Sequence, residues 1–389
     1  MKKRKVYLWV IIGLGFLFRL AFVLTLEDHF YFGDEPLYLL MAENFLKGKG
    51  LIIDLAHKAF RPPLFPLFTA FIHSLGGGLV AVRIANVLLS TSTVYLIYLL
   101  GKDLFTESIG FWSAAASAFW PFFIFYNGFY LTETLYLFLV LAATLYLIRT
   151  TTDPSAENIF LSGLFLGLAS LCRPTMLLFV LLSLILSFFA VRKLKPVVYL
   201  ALTCSLTISP WIVRNYLVLK AFIPGTTMGG RVFYEGNNLA SSGGPCQVFP
   251  EEIESLPEVE RDRVYYQETF RIIRIDPVRF YWLLFHKFKR FWSFIPNAAG
   301  FQTPFYRCLS LLAMVPPLPL FMVGLSFSLR RWRKTGFLIT QVVYNTLFHM
   351  VFLSSIRYRL PIEPFYLILA VFGLHCLLPK GVAEAREIE

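Results

Sequence analysis

An acidic pair, Asp34 and Glu35, directly follows the first long apolar run of the chain. Pro36 comes next, and the apolar residues after it predict a short amphipathic helix whose first turn carries the pair. Carboxylates are stabilised at this end of a helix, so charge compensation is one interpretation. The other is catalysis, because a carboxylate where a membrane segment meets water can serve as a general base.

Further polar side chains lie at or near the ends of other apolar runs, where ionisable groups are costly and indicate function. They are Arg61, Glu133, Arg173, Arg214, Asn237, Asn238, Arg357 and Arg359. The structural alternative for Glu133 is a helix cap, and for Arg61 and Arg214 it is anchoring in lipid headgroups. The two asparagines are candidates for sugar contacts or for a turn.

Guanidinium groups dominate this set, which favours phosphate binding. Arg357 and Arg359 flank Tyr358 beside an apolar run and can form an anion cradle. A carboxylate base with several arginines suits transfer from a lipid-phosphate donor. The base would deprotonate an acceptor as it attacks a sugar anomeric carbon, and the arginines would stabilise the departing phosphate.

The composition requires membrane helices to position these residues. Of the 389 residues, 57% are hydrophobic, above the usual apolar share of a soluble domain. The net charge of +12 is spread over many short loops, so it indicates topology in a lipid bilayer and no nucleic-acid partner. The five cysteines lie far apart and predict neither disulfides nor a metal site. The fold class predicted is an all-α polytopic membrane protein.

About ten apolar runs are candidates for membrane spans. They cover residues 6–26, 79–101, 107–127, 131–149, 157–172, 174–191, 195–213, 306–329, 335–353 and 360–378. The shorter run 62–76 is predicted to lie at the interface, because the basic clusters at Arg192 and Arg330 then fall in the cytoplasm together with both termini. The polar candidates then face the periplasm or exterior of the cell (inner) membrane.

The chain is predicted to be one membrane domain, 1–389, with two extracytoplasmic loops. The first, 27–78, carries interfacial helices, and the second is 214–305. Glycine-rich stretches between 229 and 244 predict mobile turns. Residues 276–292 predict a helix at the bilayer surface with a basic face, for which aromatic anchoring and lipid-phosphate contact both stay open.

The order and spacing of these motifs resemble the GT-C superfamily of integral-membrane glycosyltransferases. They are most similar to the bacterial protein-mannosyltransferase-like group, which includes the lipid A aminoarabinose transferases. The matching segments are Gly33-Asp34-Glu35, Arg61-Pro62-Pro63, Ala81-Val82-Arg83, Thr132-Glu133, Arg173-Pro174, Pro210-Trp211, Arg214-Asn215, Gly236-Asn237-Asn238 and Arg357-Tyr358-Arg359.

The resemblance implies an inverting glycosyltransferase that moves a hexose or pentose from a polyprenyl-phosphate donor to an extracytoplasmic acceptor. It implies that Asp34 is the catalytic base and that Glu133 is the second catalytic carboxylate. The donor-phosphate and substrate contacts predicted are Glu35, Arg61, Arg173, Arg214, Asn237, Asn238, Arg357, Tyr358 and Arg359. The acceptor stays open between a glycan, a lipid and a protein. Also open is whether a divalent cation, Mg²⁺ or Mn²⁺ held by Asp34 and Glu133, takes part or no cofactor does.

Two other classes of function compete with this one. A transporter or flippase of lipid-linked sugars would have ionisable residues near the bilayer midplane. A non-catalytic scaffold, or a polymerase or ligase of another superfamily, would not depend on the first-loop carboxylate. The gathering of polar residues at one face of the membrane favours the transferase.

Overall fold

Helices make up the regular structure of the part of the chain that the structure describes. The computed structural model describes residues 2–296 and 299–378, and it contains no β-strand in these ranges. In chain order the helices are α1 (Lys2–Leu24), α2 (Glu35–Leu46), α3 (Leu64–Ser74), α4 (Leu79–Leu104), α5 (Glu107–Ala118), α6 (Pro121–Tyr126), α7 (Glu133–Thr152), α8 (Ala156–Cys172), α9 (Met176–Val191), α10 (Leu194–Leu219), α11 (Gly229–Asn237), α12 (Glu251–Glu254), α13 (Glu258–Ile275), α14 (Pro277–Phe291), α15 (Pro304–Met314), α16 (Pro317–Leu329), α17 (Trp332–Val351), α18 (Ile356–Arg359) and α19 (Glu363–Leu377).

Six helical segments among the described residues are long and apolar enough to cross a membrane. Four are α1, α4, α7 and α10, and two are composite segments, Pro304–Leu329 and Ile356–Leu377. Helices α3, α8 and α9 are apolar but shorter. The predicted all-α polytopic membrane fold is confirmed, whereas the count of about ten spans stays a prediction.

Two of the predicted spans are broken into shorter helices. Region 107–127 divides into α5 and α6 because Pro121 starts a new helix. Arg19 on α1 is fully buried and satisfies the end of α5, donating to the carbonyl oxygens of Ala118 (2.6 Å) and Ser117 (3.2 Å). Region 306–329 divides in the same way between α15 and α16 at Val315 and Pro316.

Small residues allow the apolar helices to pack closely. Gly163 and Gly167, one helical turn apart on α8, face α10, and a Cβ at Gly163 would lie 2.8 Å from the carbonyl oxygen of Leu200. A Cβ at Gly324 of α16 would overlap the carbonyl oxygen of Leu369 on α19. Helix association inside a bilayer depends on such close backbone approach, so these contacts hold the scaffold together.

The second loop is more ordered than its glycine content predicts. Residues 229–237, predicted to be mobile, form α11, and Gly230 N donates to Oδ1 of Asp262 on α13 at 2.7 Å. A Cβ at Gly230 would collide with the carbonyl oxygen of Asp262. The glycine therefore permits close helix packing here, and the prediction of mobile turns is wrong for this stretch.

A buried carboxylate joins the two loops. Glu258, the first residue of α13, accepts hydrogen bonds from the backbone N–H groups of Lys58 (2.7 Å) and Ala59 (2.9 Å). It also accepts one from the hydroxyl of Thr227 (2.5 Å). The second loop thus fixes the backbone that leads to Arg61, one of the candidate site residues.

Candidate active site

Five ionisable residues from distant parts of the chain meet at the ends of helices. Asp34 immediately precedes α2, and Arg61 lies at the end of the same loop, before α3. Glu133 is the first residue of α7, Arg173 follows the last residue of α8, and Arg357 lies in the short α18. The folding of the loops onto the helix ends brings them into one charged cluster.

Asp34 is held by two guanidinium groups. Its Oδ1 accepts from Nη2 of Arg61 at 2.6 Å, and its Oδ2 accepts from Nη1 of Arg357 at 2.8 Å. Burial alone would raise the pKa of the Asp34 carboxyl, but the nearby positive charges of Arg357 and Arg61 outweigh it and hold that pKa well below its ordinary value. Asp34 is therefore ionised throughout the neutral pH range.

Glu133 forms the other half of the cluster. Its Oε1 accepts from Nη2 of Arg173 at 2.5 Å and from Nε of Arg357. Its Oε2 is buried without a hydrogen-bond partner among the described residues. Arg357 bridges the two carboxylates, so displacing this one side chain would alter the surroundings of both.

Aromatic rings surround the guanidinium groups. Arg61 lies 5.5 Å from the ring centroid of Tyr38, and Arg173 lies 5.3 Å from that of Tyr136. These are cation–π distances. The side chains of the cluster are largely buried, so charge interactions here are stronger than at an open surface.

A cavity of about 500 Å³, here called the polar cavity, opens directly onto the cluster. Its inner wall consists of Asp34, Tyr38, Arg61, Arg173, Arg357 and Tyr358. Its outer wall is formed by the segment 222–229 and by α13. A molecule that enters this cavity would reach Asp34 from the side of the second loop.

A second cavity of about 740 Å³, here called the aromatic cavity, lies on the other side of Arg357. Its walls include Phe18, Phe22, Phe32, Phe122, Phe125, Phe301 and Tyr306. Phe18 and Phe22 belong to the apolar helix α1, so part of this cavity lies along a candidate membrane span. Arg290 and Arg357 are its cationic lining residues among those described.

The carboxylates do not fit a divalent cation as they are arranged. Guanidinium groups occupy three of their four oxygens, leaving only Oε2 of Glu133. The cluster has three arginines against two carboxylates, a positive surplus that disfavours Mg²⁺ or Mn²⁺. Among the described residues, no group of three or more His, Cys, Asp or Glu side chains could hold a metal ion.

Glu35 does not face the polar cavity, although substrate contact was predicted for it. Its side chain is fully buried and accepts hydrogen bonds from the backbone N–H groups of Tyr31 (2.8 Å), Phe32 (2.7 Å) and Tyr130 (2.8 Å). Glu35 therefore ties the first loop to the segment before α7. Of the two adjacent carboxylates, Asp34 lines the polar cavity and Glu35 supports the fold.

Arg214 and Arg359 also lie outside the cluster, contrary to expectation. Arg214 donates to the carbonyl oxygens of Lys58 (2.6 Å) and Leu51 (3.1 Å) and so supports the first loop. Arg359 is fully buried and pairs with Glu363 at 3.0 Å. Both arginines serve the scaffold that surrounds the cluster.

Asn237 and Asn238 are likewise engaged within the protein. Asn237 donates to the carbonyl oxygen of Val351 (3.0 Å) and accepts from Nζ of the buried Lys287 (2.8 Å). Asn238 accepts from the N–H of Ala240 at 3.0 Å in a turn. The turn interpretation therefore fits Asn238, and neither side chain lines the polar or the aromatic cavity.

The basic face of α14 points into the protein. Arg279 donates to the carbonyl oxygens of Leu239 (2.8 Å) and Ser241 (2.7 Å), and Lys287 is buried. The opposite face leaves Tyr281 70% exposed. Of the two interpretations, aromatic anchoring fits this arrangement, because Arg279 and Lys287 are used inside the fold.

The sequence interpretation did not single out three residues that line the polar cavity, Tyr38, His349 and Asp262. Tyr38 and His349 lie inside apolar helical patterns that look like core positions. Asp262 lies in a run of charged residues typical of a solvated helix face. Their role depends on which helix face turns towards the cluster, which a single sequence does not reveal.

The all-helical membrane fold is similar to that of solved glycosyltransferase structures of the GT-C type. Residues 60–213 match the family described as dolichyl-phosphate-mannose-protein mannosyltransferase. No curated protein sequence matches the chain. The family match and the fold bear out the resemblance predicted from the motifs.

Two solved structures illustrate the likeness. The archaeal oligosaccharyltransferase AglB from Archaeoglobus fulgidus, in complex with an inhibitory peptide and a dolichol-phosphate, is 13% identical with a TM-score of 0.57 over 99% of this chain. ArnT from Cupriavidus metallidurans, bound to undecaprenyl phosphate, is 15% identical with a TM-score of 0.54 over 97% of this chain. The chain spans 54% of the length of AglB and 62% of that of ArnT. At these identities the likeness establishes the fold.

Proposed function

We propose that the protein is an integral-membrane glycosyltransferase that uses a polyprenyl-phosphate sugar as donor. The sugar, a hexose or a pentose, passes with inversion to an acceptor on the extracytoplasmic side. Asp34 is the general base, and the arginines of the cluster bind the donor phosphate. The lipid phosphates bound to AglB and ArnT support the donor class.

One observation carries the proposal: Arg357 and Tyr358 line both the polar and the aromatic cavity. Asp34 lines the polar cavity, whereas apolar rings dominate the aromatic cavity. A polyprenyl tail suits the aromatic cavity, which places the donor phosphate beside Arg357. The acceptor then approaches from the opposite side, which is the geometry that a single displacement with inversion requires.

Sugar transfer forms one bond at the anomeric carbon and breaks another. The acceptor oxygen or nitrogen bonds to the anomeric carbon and gives its proton to Asp34, while the bond from that carbon to the phosphate oxygen breaks. The phosphate leaves with the electron pair and gains negative charge. Arg357 stabilises this charge in the transition state.

While Asp34 is paired with Arg357 and Arg61, its low pKa makes it a weak base. A donor phosphate would compete with Asp34 for Arg357 and Arg61, since both side chains already bind an anion. Losing even one of these partners raises the pKa of the buried carboxyl. Donor binding would thereby activate the base.

Three of the predicted arginine contacts fit this proposal. Arg61 and Arg357 bind Asp34, and Arg173 binds Glu133 within the same cluster. We propose that Glu133 holds Arg173 and Arg357 in place for the phosphate. No metal ion is required, because the arginines supply the positive charge.

The experiment uses the full chain, purified in detergent or nanodiscs, with a panel of polyprenyl-phosphate sugars and acceptor extracts. Mass spectrometry of the products identifies transfer, and NMR of the product assigns its anomeric configuration. We expect transfer from at least one donor with inverted configuration. Movement of the lipid-linked sugar across proteoliposomes without any transfer would favour the flippase instead.

A further inference from the structure

The polar cavity continues outward into a groove along α13. The two spaces have five lining residues in common: Phe222, Ile223, Val259, Asp262 and Tyr266. The groove is completed by Ala221, Arg263, Gln267 and Phe270. A molecule that reaches Asp34 through the polar cavity can therefore extend along this groove, here called the outer groove.

One face of α13 forms a wall of both spaces. Val259, Asp262 and Tyr266 recur at helical spacing and line the polar cavity. Arg263 and Gln267, each the next residue along the chain, widen this stripe towards the outer groove. Because the stripe lies on one helix, its polar groups have fixed positions relative to the charged cluster.

Asp262 is the central polar group of this wall. Its Oδ1 accepts from Gly230 N at 2.7 Å, and it takes part in no ion pair among the described residues. Burial, and to a smaller extent the negative charge of Glu258, raises the pKa of Asp262 to about 6. A carboxylate in such surroundings gains from a ligand that donates hydrogen bonds.

Aromatic rings flank Asp262 and leave apolar surface uncovered. Phe222 is 74% exposed and Phe270 is 52% exposed, and Tyr266 lies between the two spaces. A sugar ring has apolar C–H faces and a rim of hydroxyl groups. Flat aromatic rings beside carboxylate, guanidinium and amide groups match both features.

We propose that the outer groove binds the saccharide part of the acceptor, so that the acceptor is a glycan longer than a monosaccharide. This inference rests on the proposed function and narrows the acceptor class. The reacting sugar lies in the polar cavity near Asp34, and the sugar behind it lies against Phe222 and Tyr266. Asp262 and Gln267 bind its hydroxyl groups.

The chemistry of the groove favours a glycan over the other acceptors. An anionic headgroup would be repelled by the carboxylate of Asp262. A neutral saccharide meets no such repulsion, and its hydroxyl groups can donate hydrogen bonds to that carboxylate. A peptide acceptor is compared directly in the test below.

The test measures transfer by the enzyme, with its active donor, to a set of matched acceptors. The acceptors are glucose, mannose and N-acetylglucosamine, each offered as a monosaccharide glycoside and as a disaccharide glycoside, and a peptide that contains serine and threonine. We expect kcat/KM at least about tenfold higher for the preferred disaccharide than for its monosaccharide. D262N and Q267A should each remove most of this advantage, and Q267A, which lies outside the polar cavity, should leave transfer to the monosaccharide unchanged.

Two control variants change similar groups elsewhere. Glu260 is an exposed carboxylate on α13 outside both spaces, and Tyr281 is an exposed ring on α14. E260Q and Y281A should keep the full preference for disaccharides. Equal use of both saccharide lengths, preference for the peptide, or an intact preference in D262N and Q267A would each overturn the inference.

A binding measurement separates this inference from the proposed function. Isothermal titration with the same unlabelled disaccharide glycosides detects the groove even if no donor is consumed. Disaccharide binding weakened by D262N but not by E260Q would support the saccharide groove even if the transferase proposal failed. No disaccharide binding to the wild type, in an enzyme that still transfers sugar to the peptide, would refute the groove and leave the transferase standing.

Discussion

Nη1 of Arg357 lies 2.8 Å from Oδ2 of Asp34, although the two residues are 323 positions apart. The same guanidinium also binds Glu133 through its Nε. One side chain therefore links the first loop, the start of α7 and the segment that separates the two cavities.

Conservative changes at Arg357 and Arg359 should have different effects. R357K keeps a charge but loses the planar fork that reaches two carboxylates, so we expect kcat to fall by about 10²–10³-fold. R359K should lower the thermal unfolding midpoint, because Arg359 pairs with Glu363 and with the carbonyl oxygen of Ser293 inside the protein. Steady-state kinetics and thermal unfolding of both purified variants check this. Equal losses of activity at unchanged stability would contradict it.

The pH dependence of kcat/KM should reflect the low pKa of Asp34. A carboxyl whose folded pKa lies below its unfolded value stabilises the fold above the unfolded pKa, and this stabilisation is lost only as the pH falls through the folded pKa. Because Asp34 also stays ionised at mildly acidic pH, the kcat/KM of the wild type should not decline through protonation of Asp34 near the ordinary carboxyl pKa of about 4. R357A removes one positive charge while burial remains, so an acidic decline should appear at higher pH. An identical profile in R357A would argue against the coupling.

The sequence predicted that the candidate residues lie on one face of the membrane, but it did not predict which of two nearby residues belongs to the site. Asp34, Arg61, Glu133, Arg173 and Arg357 do converge. Arg357 and Arg359 are two positions apart on α18, so their side chains point about 200° apart around the helix axis. One faces the cavities and the other the core, and no motif reveals which.

Contacts between residues far apart in the chain also could not be predicted from the sequence. Glu258 lies 200 positions from Lys58. Its charged neighbours in the sequence predict a solvent-exposed helix start. Only the packing of the second loop onto the first turns it into an acceptor for backbone N–H groups. Glycine-rich residues 229–237 illustrate the same limit, since tertiary packing converts predicted turns into a helix.

Glu35 should be required for stability and not for chemistry. E35Q leaves an amide NH₂ facing backbone donors, so at least one buried hydrogen bond is lost at a cost of about 1–3 kcal/mol. We expect a lower unfolding midpoint with activity per folded molecule preserved. Thermal unfolding in detergent, with activity normalised to the folded fraction, measures both. A stable but inactive E35Q would return Glu35 to the site.

Glu258 should act through Arg61. E258Q loosens the backbone at Lys58 and Ala59, and we expect a loss of activity of about tenfold because Arg61 is then held less firmly. A double-mutant cycle checks the route: R61A with E258Q should be no worse than R61A alone. E260Q serves as the control on the same helix. Fully additive losses would show that Glu258 acts elsewhere.

Removal of divalent cations should not affect the reaction. Guanidinium groups already supply the positive charge at Asp34 and Glu133. We expect unchanged transfer after dialysis against a chelator, measured with donor and acceptor at fixed concentrations. Loss of activity that Mg²⁺ or Mn²⁺ restores would show that the arginines give way to a metal ion during catalysis.

Sugar transfer by D34N, compared with that by D54N, tests the role of Asp34 most directly. Asp54 is a carboxylate of the same loop that pairs with His57 outside both cavities. We predict that D34N folds and binds donor but transfers sugar about 10²–10⁴-fold more slowly, whereas D54N retains wild-type activity. Product formation by D34N at the wild-type rate would contradict the assignment of Asp34 as the base.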